Sequence, residues 1–158
     1  MPVDALLLVR ALYLVAYVWV AVVDLRSRRI PNRVTYPMLG IALVARPDGI
    51  GLVPFANVAV AAVVAVVFVA MVWRGWMGMG DAKLAALIAL AAGPALGIIA
   101  LWLAFLIGAV VGVALMVAKR LGRREPLPFG PFLALAGALS VLIPDALVSL
   151  SPFRALFS

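Results

Sequence analysis

From Leu84 to Ala118 the chain runs for 35 residues without a charged side chain, and no other feature limits its fold so strongly. A helix needs about 20 predominantly apolar residues to cross a hydrocarbon core ~30 Å thick, so this run is too long for one crossing. Gly93-Pro94, in "AAGPALG", supplies a turn within it, and the expectation is a helical hairpin with arms 84–92 and 95–118.

The same length test selects 5–23 and 52–73 as spans, with 131–149 as a last one after "LPFGP". Segments 34–45 and 84–92 are short, and each is expected to extend into its flanking loop and to be screened from lipid by neighbouring helices. The sequence therefore predicts an all-α, polytopic membrane protein: one domain over 1–158, with about six transmembrane helices. A content of 68% hydrophobic and 12% charged residues, with a mean hydropathy of +1.26, lies far outside the range of soluble globular chains. The first run lacks a basic start and a small-residue cleavage site and exceeds a signal-peptide core, so it reads as a retained span.

Lys and Arg in short loops mark the cytoplasmic side of a membrane protein, and they set the orientation here. Arg26, Arg28, Arg29 and Arg33 follow the first span, Arg74 and Lys83 follow the third, and Lys119, Arg120, Arg123 and Arg124 follow the fifth. Six spans gather all ten of these on one face and leave Arg10, Arg46 and Arg154 for the other, so both termini are expected outside. A net charge of +7 then calls for no nucleic acid, because juxtamembrane cations meet anionic lipid headgroups.

The chain has neither cysteine nor histidine, which excludes thiolate and imidazole metal sites and a Ser-His-Asp triad. No metal and no cofactor is expected, and any chemistry falls to carboxylates, hydroxyls, Lys or Arg. Of the six acids, Asp4, Asp48 and Asp145 fall on the outer side, while Asp24, Asp81 and Glu125 fall on the cytoplasmic side. Asp24 closes the first span and Asp81 opens the fourth, so two carboxylates 57 positions apart reach the same membrane face.

Two carboxylates near one another at an apolar boundary tend to share one proton. That arrangement can hydrolyse a peptide: the ionised acid draws a proton from water while the protonated one polarises the scissile carbonyl. Position alone fits a plainer role equally well, with Asp24 ending one helix and Asp81 capping the next. In "GMGD", Gly78 and Gly80 clear side chains from beside Asp81, which suits close approach of a peptide or unusual backbone angles. Lys83 reads as an interfacial side chain that does not face Asp81, and Pro31 and Asn32, in "RRIPNRVTYP", as helix punctuation.

Taken together, "VDLRSRRIPN", "GMGDAKL" and "EPLPFGPFLALA", in this order across the predicted spans, resemble the type IV prepilin peptidases over essentially the whole chain. These are polytopic aspartic proteases of the bacterial cytoplasmic membrane. The resemblance implies that Asp24 and Asp81 are the catalytic pair, and that the substrate is a prepilin or pseudopilin with a basic leader and a hydrophobic helix. Cleavage would follow a glycine at the cytoplasmic face. It further implies that Gly78, Gly80, Lys83, Pro31, Asn32, Pro128, Phe129 and Gly130 support the site.

The larger bacterial members carry an upstream cysteine-containing segment and also methylate the new N-terminus. This sequence resembles the small, core-only members instead, and methyl transfer is not expected of it. Presenilins and signal peptide peptidases share the Gly-x-Gly-Asp pattern, but the "PAL" at 94–96 lies only 13 residues after Asp81, too close to match the later helix that carries it there. A non-enzymatic alternative stays open: a proton-coupled carrier or pilus-assembly scaffold that uses the same carboxylates structurally.

Overall fold

A computed structural model of the chain describes residues 3–27, 30–119, 128–150 and 152. Arg28, Arg29, Arg120, Arg123, Arg124, Glu125 and Arg154, which entered the charge argument, lie outside the described residues. In chain order the elements are α1 (Val3–Ser27), α2 (Asn32–Ala42), β1 (Ala45–Arg46), β2 (Gly49–Ile50), α3 (Phe55–Trp73), α4 (Met79–Val117), α5 (Gly130–Leu142) and α6 (Pro144–Leu150). The protein is a helical membrane protein, and α1, α3 and α4 are each long and apolar enough to cross a bilayer.

The inward face of α1 is chosen by its few polar groups. Tyr13, Tyr17, Val20 and Asp24 are buried at spacings of four, three and four residues, one stripe of a 3.6-residue helix. Val15, Val18, Trp19, Val22 and Leu25 cover the rest of its surface and are exposed. With apolar residues all round there is no amphipathic pattern to read, and the side chains that need partners turn inward.

The long helix α4 is two helices. Gly93 has φ 80° and ψ −177°, and Pro94 follows it. Along a straight helix the eight steps from Ala89 to Gly97 would cover about 12 Å. Here a Cβ on Gly97 would stand 2.9 Å from the Cα of Ala89, so the chain doubles back tightly on itself. Pro94 has no N–H to offer the Leu90 carbonyl four residues before it. Asn57, buried near the start of α3, replaces that donor: its Nδ2 donates to the Leu90 oxygen at 3.0 Å.

The first arm, 79–92, is the centre of the bundle, with Leu84, Ala85, Leu87, Ile88, Ala89 and Leu90 all buried. α4 packs on α2, α3, α5 and α6, and α1 packs on α5. The short first arm is thus shielded by its neighbours.

Two segments depart from the sequence expectation. The apolar run 34–45 is helical only to Ala42, after which a two-stranded antiparallel hairpin pairs Ala45 with Ile50 and Arg46 with Gly49. Tyr13 Oη donates to Ala45 O at 2.9 Å, Arg10 Nε donates to Pro47 O at 2.9 Å, and Arg46 pairs with Asp48 at 3.1 Å. The run 131–149 is broken at Ile143, whose φ −135° and ψ 55° leave the helical region because the next residue is Pro144.

Candidate active site

Asp24 lies 14 residues along α1 from Arg10, about 21 Å at 1.5 Å per residue, so it stands at the opposite end of the bundle from the strand hairpin. It is 5% exposed, the last buried member of the α1 stripe. The backbone amide of Gly130 hydrogen-bonds to its carboxylate. A Cβ on Gly130 would stand 2.6 Å from Asp24 Oδ2, so α5 starts against the carboxylate with no space for a side chain.

Asp81 is the third residue of α4, and its Oδ2 accepts a hydrogen bond from Gly78 N–H at 3.2 Å. The acid therefore does cap its helix, as its position suggested. It also faces a cavity of about 510 Å³ that Asp24 lines as well, and the two carboxylates are near enough to act on one another electrostatically. That volume is in the range of small-ligand sites.

The two glycines of "GMGD" do different work. Gly78 has an ordinary extended backbone, φ −83° and ψ 152°, and a Cβ there would make only an ordinary 3.4 Å contact with Asp81. The unusual backbone angle expected there belongs instead to Gly75, at φ 73°. Gly80 is tightly packed within the chain itself, where a Cβ would fall 2.7 Å from the Cβ of Ile30. Ile30 follows α1 and precedes α2, so this contact presses the Asp24 side of the site against the Asp81 helix.

Lys83 strengthens the same seam. Its Nζ donates to Asn32 Oδ1 at 2.9 Å and lies 4.6 Å from the centroid of the Tyr36 ring. It engages α2 rather than Asp81. Pro31 stands at the N-cap of α2, its carbonyl accepting from the N–H groups of Val34 and Thr35 at 3.1 and 3.3 Å.

Of the ten site residues expected from sequence, Asp24, Asp81, Gly78, Pro128 and Phe129 line the cavity. Gly80, Lys83, Pro31, Asn32 and Gly130 are not among its lining residues. Met71, Gly75, Trp76, Met77 and Phe105 also line it and went unrecognised in the sequence. The loop 74–78 leads directly into "GMGD" and adjacency could have flagged it, whereas one Phe inside an apolar helix carries no local signal.

These features define a polytopic helical membrane protein whose two inward carboxylates share one cavity at one end of the bundle. Residues 11–113 match the type IV leader peptidase family. The chain is 31% identical over 133 residues to a prepilin leader peptidase/N-methyltransferase of Bacillus subtilis, covering 82% of this chain and 53% of that one. To a protein of the same name from Aeromonas salmonicida it is 34% identical over 148 residues, 87% of this chain and 50% of the relative. A Xanthomonas campestris relative of that name is 32% identical over 122 residues, 73% and 42% of the respective chains. No solved structure shows a significant match. The chain belongs to the type IV leader peptidase family, and it spans about half the length of the curated relatives it matches.

Proposed function

We propose that the protein is a membrane-embedded aspartic endopeptidase that removes the basic leader from type IV prepilins or pseudopilins, cutting after a glycine at the cytoplasmic face of a bacterial membrane. One observation carries this reading: Asp24 and Asp81, from helices far apart in sequence, line the same cavity. Among the described residues no Lys or Arg lines the cavity, and two carboxylates this close relieve their mutual repulsion by holding one proton between them.

The ionised acid takes a proton from water as its oxygen attacks the carbonyl carbon of the scissile bond. The protonated acid donates to the carbonyl oxygen, then a proton passes to the departing nitrogen as the C–N bond breaks. The products are a leader ending in a carboxyl group and a mature chain starting with an amine. Because the pair works with one proton, the rate should fall on both the acid and the alkaline side, giving a profile with two limbs.

Six spans with both termini outside fit this reading, since they bring the cavity to the face where the basic loops gather. The capping bond from Gly78 to Asp81 favours the alternative, in which the acids only hold helices. Co-expression with a candidate prepilin distinguishes the two: a peptidase converts the precursor to a faster-migrating band, and a scaffold or carrier leaves it unchanged.

A further inference from the structure

At the end of the bundle away from the acids, a second cavity of about 70 Å³ lies between α1, the strand hairpin, the turn of α4 and the end of α5. Arg10, Tyr17, Asp48, Ala92, Ser140 and Val141 are among the residues that line it. Tyr17 is only 2% exposed, and a Cβ on Gly137 would stand 2.8 Å from its Cζ, so α5 holds the phenol end of the ring in place. Among the described residues the Tyr17 hydroxyl has no hydrogen-bond partner, yet no fully enclosed side-chain oxygen or nitrogen lacks one, so this hydroxyl opens onto free space. Helical side chains lean toward the N-terminus of their helix, which for Tyr17 is the direction of Arg10 and this cavity.

Arg10 gives its Nε proton to Pro47 O at 2.9 Å, and among the described residues its two terminal nitrogens have no hydrogen-bond or ion-pair partner. Ser140 also lines the cavity, but its hydroxyl donates to Gly137 O at 2.7 Å. The donors left to a guest are the Arg10 terminus and the Tyr17 hydroxyl, one cationic and one neutral, and that pairing suits an oxyanion. Asp48 opposes an anion, but Arg46 meets its charge at 3.1 Å, so Arg10 leaves the surroundings of the cavity net positive. The space admits several waters or one small polyatomic group.

The depth of the cavity indicates where such a group comes from. Arg10 is 14 residues before Asp24, about 21 Å along the helix. The neighbouring elements reach no further: α5 has 13 residues, about 20 Å, and the first arm of α4 ends at the Gly93 turn. With the acids at one boundary of a hydrocarbon core about 30 Å thick, this end of the bundle lies several ångströms inside the other boundary. A guanidinium at that depth draws water and lipid phosphates down to it. We propose that the cavity is a phosphate site, in which Arg10 and Tyr17 donate to the oxygens of a phospholipid headgroup from the leaflet opposite the acids or of free phosphate. The site is independent of whether the acids cut a peptide.

The test uses the full-length chain, delipidated in a mild detergent and titrated with phosphatidylglycerol, with a diacylglycerol of the same acyl chains, or with inorganic phosphate, and read by native mass spectrometry. Basic loops on the opposite face hold phospholipid in every variant alike, so the difference from wild type is what counts. Wild type should hold one phosphatidylglycerol more than Tyr17→Phe or Arg10→Gln, and no additional diacylglycerol. Filling the site in either variant should need about tenfold more lipid, the scale of one hydrogen bond to a charged group. Tyr17→Phe keeps the ring against Gly137 and removes only the hydroxyl, so it decides by the same criterion should Arg10→Gln fail to accumulate. Inorganic phosphate that binds and is lost in both variants supports the site with free phosphate as its source, and lipid bound without it assigns the headgroup. Phosphatidylglycerol and phosphate binding unchanged in the variants, or an equal loss of diacylglycerol, would overturn the proposal.

Discussion

Gly130 and Asp24 meet so closely that a single added carbon on Gly130 would stand 2.6 Å from the carboxylate Oδ2. The start of α5 is thus both the donor of a hydrogen bond to Asp24 and the wall that fixes where it points. Gly130→Ala should displace the carboxylate and lower leader cleavage at least tenfold. Overpacking of this kind costs about 1–3 kcal/mol, so the variant should still insert, and a blot of membrane fractions alongside the cleavage assay separates the two effects.

The Lys83–Asn32 contact ties the Asp81 helix to the segment following Asp24. Lys83→Met and Asn32→Ala should each slow cleavage, and the double variant should be little worse than either. A coupling of about 0.5–2 kcal/mol in a double-mutant cycle on kcat/KM is expected, and strict additivity would show that the contact does not position the site.

Asn57 serves the fold rather than the chemistry. Asn57→Leu leaves the Leu90 carbonyl without the donor that Pro94 cannot supply. Loss of about 1–3 kcal/mol is expected, seen as a lower unfolding midpoint in detergent, with the relative rates on different prepilins unchanged.

The chain has no cysteine, so single introduced cysteines report topology without background. An impermeant thiol reagent added to intact cells should label Asp48→Cys and leave Ser27→Cys unlabelled until the membrane is opened. The reverse pattern would invert the orientation.

Much of this was legible in the sequence because the signals are local and the solvent is severe. The hairpin at Gly93-Pro94 announced itself by a run too long for one helix and a turn inside it. Asp24 and Asp81 stood out because a carboxylate against apolar segments is costly. Contacts between segments distant in sequence were not legible. Nothing in "GMGD" says that Gly80 is the one pressed by Ile30, or that Lys83 reaches α2 rather than Asp81. The strand pair at 45–50 was hidden within and beyond an apolar run, its position fixed by Tyr13 and Arg10 some 30 to 40 residues away. Phe105 reads as one more lipid-facing residue until α3 and the segment before α5 are placed beside it.

The most direct test of the central claim exchanges each acid for its amide and measures prepilin processing at matched protein levels. Asn ranks beside Asp as a helix cap and keeps nearly the same shape, but it cannot exchange the proton that water attack requires. Asp24→Asn and Asp81→Asn should each abolish detectable leader removal while the protein accumulates in the membrane as the wild type does. Substantial cleavage by either variant would contradict a two-carboxylate protease and return both residues to a structural role.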